Sequence, residues 1–298
     1  MTAPLDLLRT PLVSRSIARL LVATVLLSPY GLLAAPAPTP VADPGAPAGQ
    51  RPVVSAGSGG SAVVGIAPAN PAGLSRNKYL SFDVPPAGVR LDNTTASART
   101  ILNEVTGSAA SMLAGPLQVL GPAAKVIVAN PNGITCDGCG FINTPHVQLT
   151  TGRPDIGGSA LRFDVLDGTV AVGTGGLAAL AARIDLIGRR VRVDGPIAAD
   201  ELNLLAGRAY VDAETLDRND PGRRSALRTD LPGDAYLIDI SQSLAAGTIR
   251  LLVAPDPYGQ QRGIRATASI AATSDLAIVA QGGVQIAAAT AGRDLAVI

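Results

Sequence analysis

Histidine occurs once in the chain, at His146. One imidazole rules out a multi-histidine zinc centre, supports no Ser–His–Asp arrangement and leaves little capacity for general acid–base work. Cysteine occurs twice, in Cys136-Asp137-Gly138-Cys139. Two cysteines in an exported chain most often pair, so a disulfide is the first expectation, with free thiols and a metal or redox site as alternatives. Zinc would need two further ligands, and a redox dithiol would want a helix N-terminus beside its first cysteine. A bond across so small a loop would contribute less than the ~3 kcal/mol of a 15-residue loop and would mainly stiffen a turn. Acidic side chains gather in 212–234 (Asp212, Glu214, Asp217, Asp220, Asp230), mixed with Arg223, Arg224 and Arg228. Their spacing is not that of an EF-hand, and a solvated loop or hairpin leaving the body is expected there. Carboxylates elsewhere are scattered. No metal, no cofactor and no catalytic role is expected.

The sharpest local motif is Asn130-Pro131-Asn132-Gly133-Ile134, directly after the apolar run Val126-Ile127-Val128-Ala129. Proline presets φ at the second turn position, the first asparagine can hydrogen-bond back into the turn, and glycine closes it. The motif therefore reads as a tight β-turn between strands. Turn chemistry by itself assigns it no recognition role.

The elements that carry these residues are strands. Apolar residues recur with period two in short segments, such as Ile184/Leu186, Val191/Val193, Leu202/Leu204 and Ile249/Leu251, each bounded by Gly, Pro, Asp or Asn. In 97–113 the β-branched Ile101, Val105 and Thr106, closed by Gly107, favour a strand and turn over a helix. Ser274-Asp275-Leu276-Ala277-Ile278-Val279 returns 19 residues later as Arg293-Asp294-Leu295-Ala296-Val297-Ile298. A looser echo links Ile197-Ala198-Ala199 and Leu202 to Ile270-Ala271-Ala272 and Leu276. A period near 20 with several short strands per repeat points to a β-solenoid; a β-sandwich is the alternative, but it would not require the echo. About 12 coils would make a rod roughly 58 Å long at ~4.8 Å per coil. Residues 61–95 are the expected N-terminal cap, and the sequence stops inside a repeat.

Hydrophobic residues make up 47% of the 298 residues and charged ones 16%, enough for a packed core. Aromatics are only 3%, so small and branched aliphatics must fill that core. Arg9, Arg15 and Arg19 precede the apolar run Leu20–Leu27, and small residues follow the breaker Ser28-Pro29-Tyr30-Gly31. Residues 1–35 thus read as a secretory signal, too short and too interrupted for the roughly 20 apolar residues of a spanning helix. Without the three arginines and Asp6 of that segment, 21 basic and 22 acidic residues remain, which gives no basic excess for nucleic acid. Residues 36–60 hold six prolines and the run Gly57-Ser58-Gly59-Gly60, the composition of an extended linker. The body is then 61–298.

The stretch from Val128 through Asn130-Pro131-Asn132-Gly133-Ile134-Thr135-Cys136-Asp137-Gly138-Cys139 to Thr144 resembles the signature of the two-partner secretion domain. This domain begins filamentous haemagglutinins, related haemolysins and contact-dependent inhibition exoproteins of Gram-negative bacteria. Ile66-Ala67-Pro68, Gly73-Leu74-Ser75-Arg76-Asn77 and Phe82-Asp83-Val84 resemble its opening segment, Ile101–Val105 the approach to the signature, and Arg183–Gly188 with Glu201-Leu202-Asn203 later coils. The resemblance covers about 61–298. It implies an all-β fold, a right-handed parallel β-helix with an N-terminal cap and extra-helical hairpins. It implies Sec export, docking on the periplasmic POTRA domains of an outer-membrane two-partner transporter, and transfer to the cell surface, with Asn130, Pro131, Asn132, Gly133 and Ile134 as the secretion determinant. The family's second motif, Asn-Pro-Asn-Leu, is lacking; Asn93-Thr94-Thr95-Ala96-Ser97 stands in its place. The alternatives are a short surface adhesin whose rod binds a host or bacterial cell-surface ligand, and a truncated remnant of a larger adhesin or toxin.

Overall fold

The computed structural model describes residues 39–158, 160–179, 183–216, 236–254, 262–280 and 282–298. The secretory signal expected over residues 1–35 and positions 217–234 of the acidic segment lie outside the described residues.

Short strands wind into coils and stack, each on its equivalent in the coil before. On a first face, nine strands among the described residues run parallel and in register, from Leu74–Ser81 through Thr100–Val105, Lys125–Ala129, His146–Thr150 and Arg183–Gly188 to Leu295–Val297. A second face stacks Ala62–Gly65, Val89–Asp92, Pro116–Leu120, Cys139–Ile142 and their successors. A third stacks Ser111–Leu113, Ile134–Cys136, Thr169–Val172, Arg190–Val193 and Tyr236–Ile240. Inward positions alternate with outward ones, so Val126, Val147, Ile184, Leu202, Ile249 and Leu276 form one buried column. Each such side chain contributes roughly 1.5–3 kcal/mol of burial. The result is a parallel β-helix with an aliphatic spine.

The 19-residue echo is one coil: Leu276 stacks on Leu295. The looser echo spans two coils, with Leu244 between Ile197 and Ile270 on one column and Ile249 between Leu202 and Leu276 on the other. Coil length is otherwise uneven. Register steps directly from Ile184 to Leu202, but also from Val147 to Ile184 and from Leu202 to Ile249. Insertions consume the difference, so nine first-face strands replace the twelve coils expected, and eight steps of about 4.8 Å make the stack roughly 38 Å long.

Two expectations change at the N-terminal end. The described part of the Pro-rich segment is structured: Val41–Ala42 pairs antiparallel with Leu74–Ser81, and Val53–Ala56 pairs antiparallel with Ala62–Gly65. Its prolines sit in turns and immediately before an edge strand, where a missing N–H costs nothing. This antiparallel layer, not 61–95, blocks the first edge, because Ala62–Gly65 already stacks parallel on Val89–Asp92.

A second sheet lies against the outside of the first face. Arg153–Asp155, Arg162–Val165 and Ala209–Asp212 form it, all antiparallel. Phe163, Val165, Val211, Ala213 and Leu216 make a second core with the outward side chains of Leu102, Ile127, Ala129, Ile187 and Leu205.

Candidate functional site

The Asn-Pro-Asn-Gly-Ile motif sits where the first face turns into the third, between the strands Lys125–Ala129 and Ile134–Cys136. Gly133 N–H donates to the Asn130 carbonyl at 3.1 Å and closes the turn. Gly133 has φ +119°, a region closed to ordinary side chains. Asn130 is fully buried. Its Nδ2 donates to the Ala109 carbonyl and to Ser111 Oγ, both at 2.9 Å, while its Oδ1 accepts from Asn132 N at 3.0 Å and Asn132 Nδ2 at 2.9 Å. Asn132 Nδ2 also donates to the Gly107 carbonyl at 2.9 Å. Gly107 is itself wedged against the preceding coil, where an added Cβ would stand 2.2 Å from the Leu80 carbonyl oxygen. The motif thus fastens its own turn to the corner of the coil before it.

The five residues divide by exposure. Asn130, Gly133 and Ile134 are buried, Pro131 is half-buried and Asn132 is exposed. Ile134 points into the spine beneath Val170 and above Ser111. Only Pro131 and Asn132 offer surface to another molecule. The next corner carries Cys136 and Cys139, which are joined as a disulfide with Cα atoms 5.3 Å apart. Both sulfur-bearing side chains face inward, while Asp137 Oδ1 accepts from Gly175 N of the next coil at 2.7 Å. The bridge ties the end of a third-face strand to the start of a second-face strand.

A further corner residue has a structural role that the sequence alone does not show. Asn93, in the segment lacking the second motif, is fully buried. Its Oδ1 accepts from Ala98 N at 2.7 Å, and its Nδ2 donates to the carbonyls of Ala98 at 3.0 Å and Pro122 at 2.9 Å. Asn93 therefore clamps one corner to the next coil, whereas Asn130 clamps its corner to the coil before. The signal was an asparagine at a strand end; its partners lie too far along the chain to be read locally.

His146 and the acidic segment meet on the covered outer face. His146 Nε2 donates to the buried Asp185 Oδ2 at 2.6 Å. Of Asp212 and Glu214, expected in a solvated loop or a hairpin leaving the body, Asp212 ends a strand of the outer antiparallel sheet and Glu214 is exposed, while Leu216 just beyond is buried in the second core. Among the described residues, no three His, Cys, Asp or Glu side chains are grouped to hold a metal ion.

Residues 39–286 match the family described as TPS secretion domain. The tRNA nuclease CdiA of Yersinia mollaretii is 42% identical over 177 residues, which are 52% of this chain and 6% of that protein. Filamentous hemagglutinin of Bordetella pertussis is 32% identical over 269 residues, 83% of this chain and 7% of that protein. The chain thus spans less than a tenth of the length of these relatives. The crystal structure of a filamentous hemagglutinin secretion domain superposes with TM-score 0.74 at 26% identity, over 87% of this chain and 97% of that one. The HMW1 secretion domain from Haemophilus influenzae shares the fold, with TM-score 0.56 at 18% identity over 80% and 62% of the two chains.

Proposed function

This chain belongs to the TPS secretion domain family, whose members direct exoproteins to export through a two-partner transporter, and we propose that the POTRA domains of that transporter dock on the corner formed by Asn130–Ile134. The observation that carries this reading is the division within the motif. Asn130 spends every amide atom on its own fold, while Pro131 and Asn132 stand on the surface beside it. Export starts with a Sec signal over residues 1–35, and the domain passes through the periplasm to the cell surface. The work of this domain is binding and export rather than catalysis. The nuclease named in the Yersinia relative belongs to a protein of which this stretch is 6%.

The test is secretion from cells carrying the cognate transporter. Asn132→Ala is expected to reduce surface-exported chain at least tenfold while the purified variant still folds and loses only about 1–2 kcal/mol of stability, the scale of its bonds to the Gly107 carbonyl and Asn130 Oδ1. Asn130→Ala is expected to reduce both export and stability markedly, since it strands the buried Ser111 hydroxyl at about 1–3 kcal/mol and loses the bonds to the Ala109 carbonyl and to Asn132 as well. Undiminished export of the Asn132 variant would remove the motif from the docking surface.

A further inference from the structure

We propose that Ala213–Leu216 is a strap that closes the outer face of the first half of the β-helix, and that Asp185 is the positioning residue that keeps it shut. The strap follows the outer strand Ala209–Asp212. Asp212 Oδ1 accepts from Glu214 N at 2.9 Å and Thr215 N at 3.0 Å, turning the chain back toward the coils. Leu216 then enters the second core at φ +60°, a conformation a leucine adopts only when its surroundings impose it.

Three coils grip this strap by its backbone. Lys125 Nζ donates to the Ala213 carbonyl at 2.7 Å and pairs with Glu214 Oε1 at 3.0 Å. Gln148 Nε2 reaches the same Ala213 carbonyl at 3.3 Å, and Arg183 Nη2 reaches the Glu214 carbonyl at 3.3 Å. Asp185 touches none of these strap atoms, yet it aims two of the three donors. It is fully buried and accepts from Gln148 Nε2 at 3.3 Å, from Arg183 Nε and Nη2 at 2.9 and 3.2 Å, from His146 Nε2 at 2.6 Å and from Asn203 Nδ2 at 2.8 Å.

The charged and titratable groups packed around Asp185 come from every neighbouring element: Lys125, His146, Arg183, Glu201 and, from the strap, Glu214. Arg250 pairs with Glu201 at 2.6 Å beyond them. Burial pushes the Asp185 carboxyl up, but the hydrogen bonds and charges of His146 and Arg183 outweigh it and hold the group below its ordinary value.

The contact has a long reach. Lys125 and Ala213 are 88 residues apart. The outward side chains of Leu102, Ile127, Ala129, Ile187 and Leu205 therefore gain their full cover only when a much later part of the chain has folded back. The first half of the helix cannot finish its outer face from its own coils. This inference does not rest on the transporter reading, and its test needs only the purified chain.

Hydrogen exchange on the full chain tests it, comparing the native sequence with Asp185→Asn, Arg183→Met and the distant control Arg293→Ala. In Asp185→Asn the amides of 162–165 and 209–216 are expected to lose roughly 100-fold or more of their protection, the scale of breaking a buried ion pair. Amides of 276–279 are expected to stay within about twofold in Asp185→Asn, since they share no partner with it, and Arg293→Ala is expected to leave 162–165 and 209–216 unchanged, since surface changes are nearly neutral. Arg183→Met is expected to open the same amides by roughly tenfold, about one charged hydrogen bond. In the native chain, opening of 209–216 is expected to rise as pH falls below the ordinary carboxylate value of about 3.9. In Asp185→Asn that step should shrink to the part carried by Asp212, whose carboxyl burial pushes up but the Thr215 and Glu214 amides hold below its ordinary value. Protection lost evenly along the helix, unchanged protection at 209–216, or failure of both variants to fold would each overturn the proposal, because Asp185 would then hold the whole rod or nothing.

Discussion

The first-face strands 146–150 and 276–279 carry the same inward pattern of aliphatic residues, yet their outward sides are built from opposite materials. At 146–150 the outward Gln148 and Thr150 are buried, and Gln148 and the half-buried His146 join a polar cluster around Asp185. At the C-terminal end no described element covers the coils, and successive coils are linked by exposed pairs, Arg265 with Asp239 and Arg293 with Asp275. One spine is thus dressed in two ways. Aliphatic stacking alone specifies the coil. The outer sheet and the buried polar groups add a fixed surface to the first half, and this is also the half that carries the Asn-Pro-Asn-Gly-Ile corner.

If the spine is common to both halves, truncating it should cost the same in each. Leu149 and Leu251 lie in one inward column, joined in register through Leu186 and Leu204. Leu149→Ala and Leu251→Ala are each expected to destabilise the chain by about 3 kcal/mol in denaturant unfolding. A much smaller loss at Leu251 would show that the C-terminal coils melt apart from the rest. The outer decorations should then separate the halves. Removing Arg293 is expected to leave the unfolding midpoint within error at physiological salt, because exposed ion pairs are screened and contribute little. The Arg293 guanidinium holds the Asp275 carboxyl below its usual value. Whatever that pair adds is present above the ordinary carboxylate range and fades as pH falls through the lowered value. A marked loss in the Arg293 variant at neutral pH would erase the distinction.

Much of the helix was legible from local pattern. The period-two aliphatics, the return of Asp-Leu-Ala after 19 residues and the Asn-Pro-Asn-Gly turn each report a contact within a strand, a turn or one coil. Three features escaped because composition or distance hid them. The N-terminal antiparallel layer has the prolines of a linker, and its strands reveal themselves only against Leu74–Ser81 and Ala62–Gly65. The outer sheet needs Phe163 beside Val211, across a loop and two faces of the helix. Asp185 reads as one more scattered carboxylate until Lys125, His146, Gln148 and Asn203 arrive from other coils. The five-residue motif is plain in the sequence, but the sequence does not say that Asn130 turns inward and Asn132 outward.

The most direct test of the central claim is the affinity of the purified chain for the POTRA region of its transporter, measured for the native sequence, Asn132→Ala and the C-terminal control Arg265→Ala. Binding is expected to fall at least tenfold in Asn132→Ala, with the variant still folded and its stability lowered by only about 1–2 kcal/mol, and to be retained in Arg265→Ala. Equal affinity of all three would place the docking surface elsewhere and contradict the account.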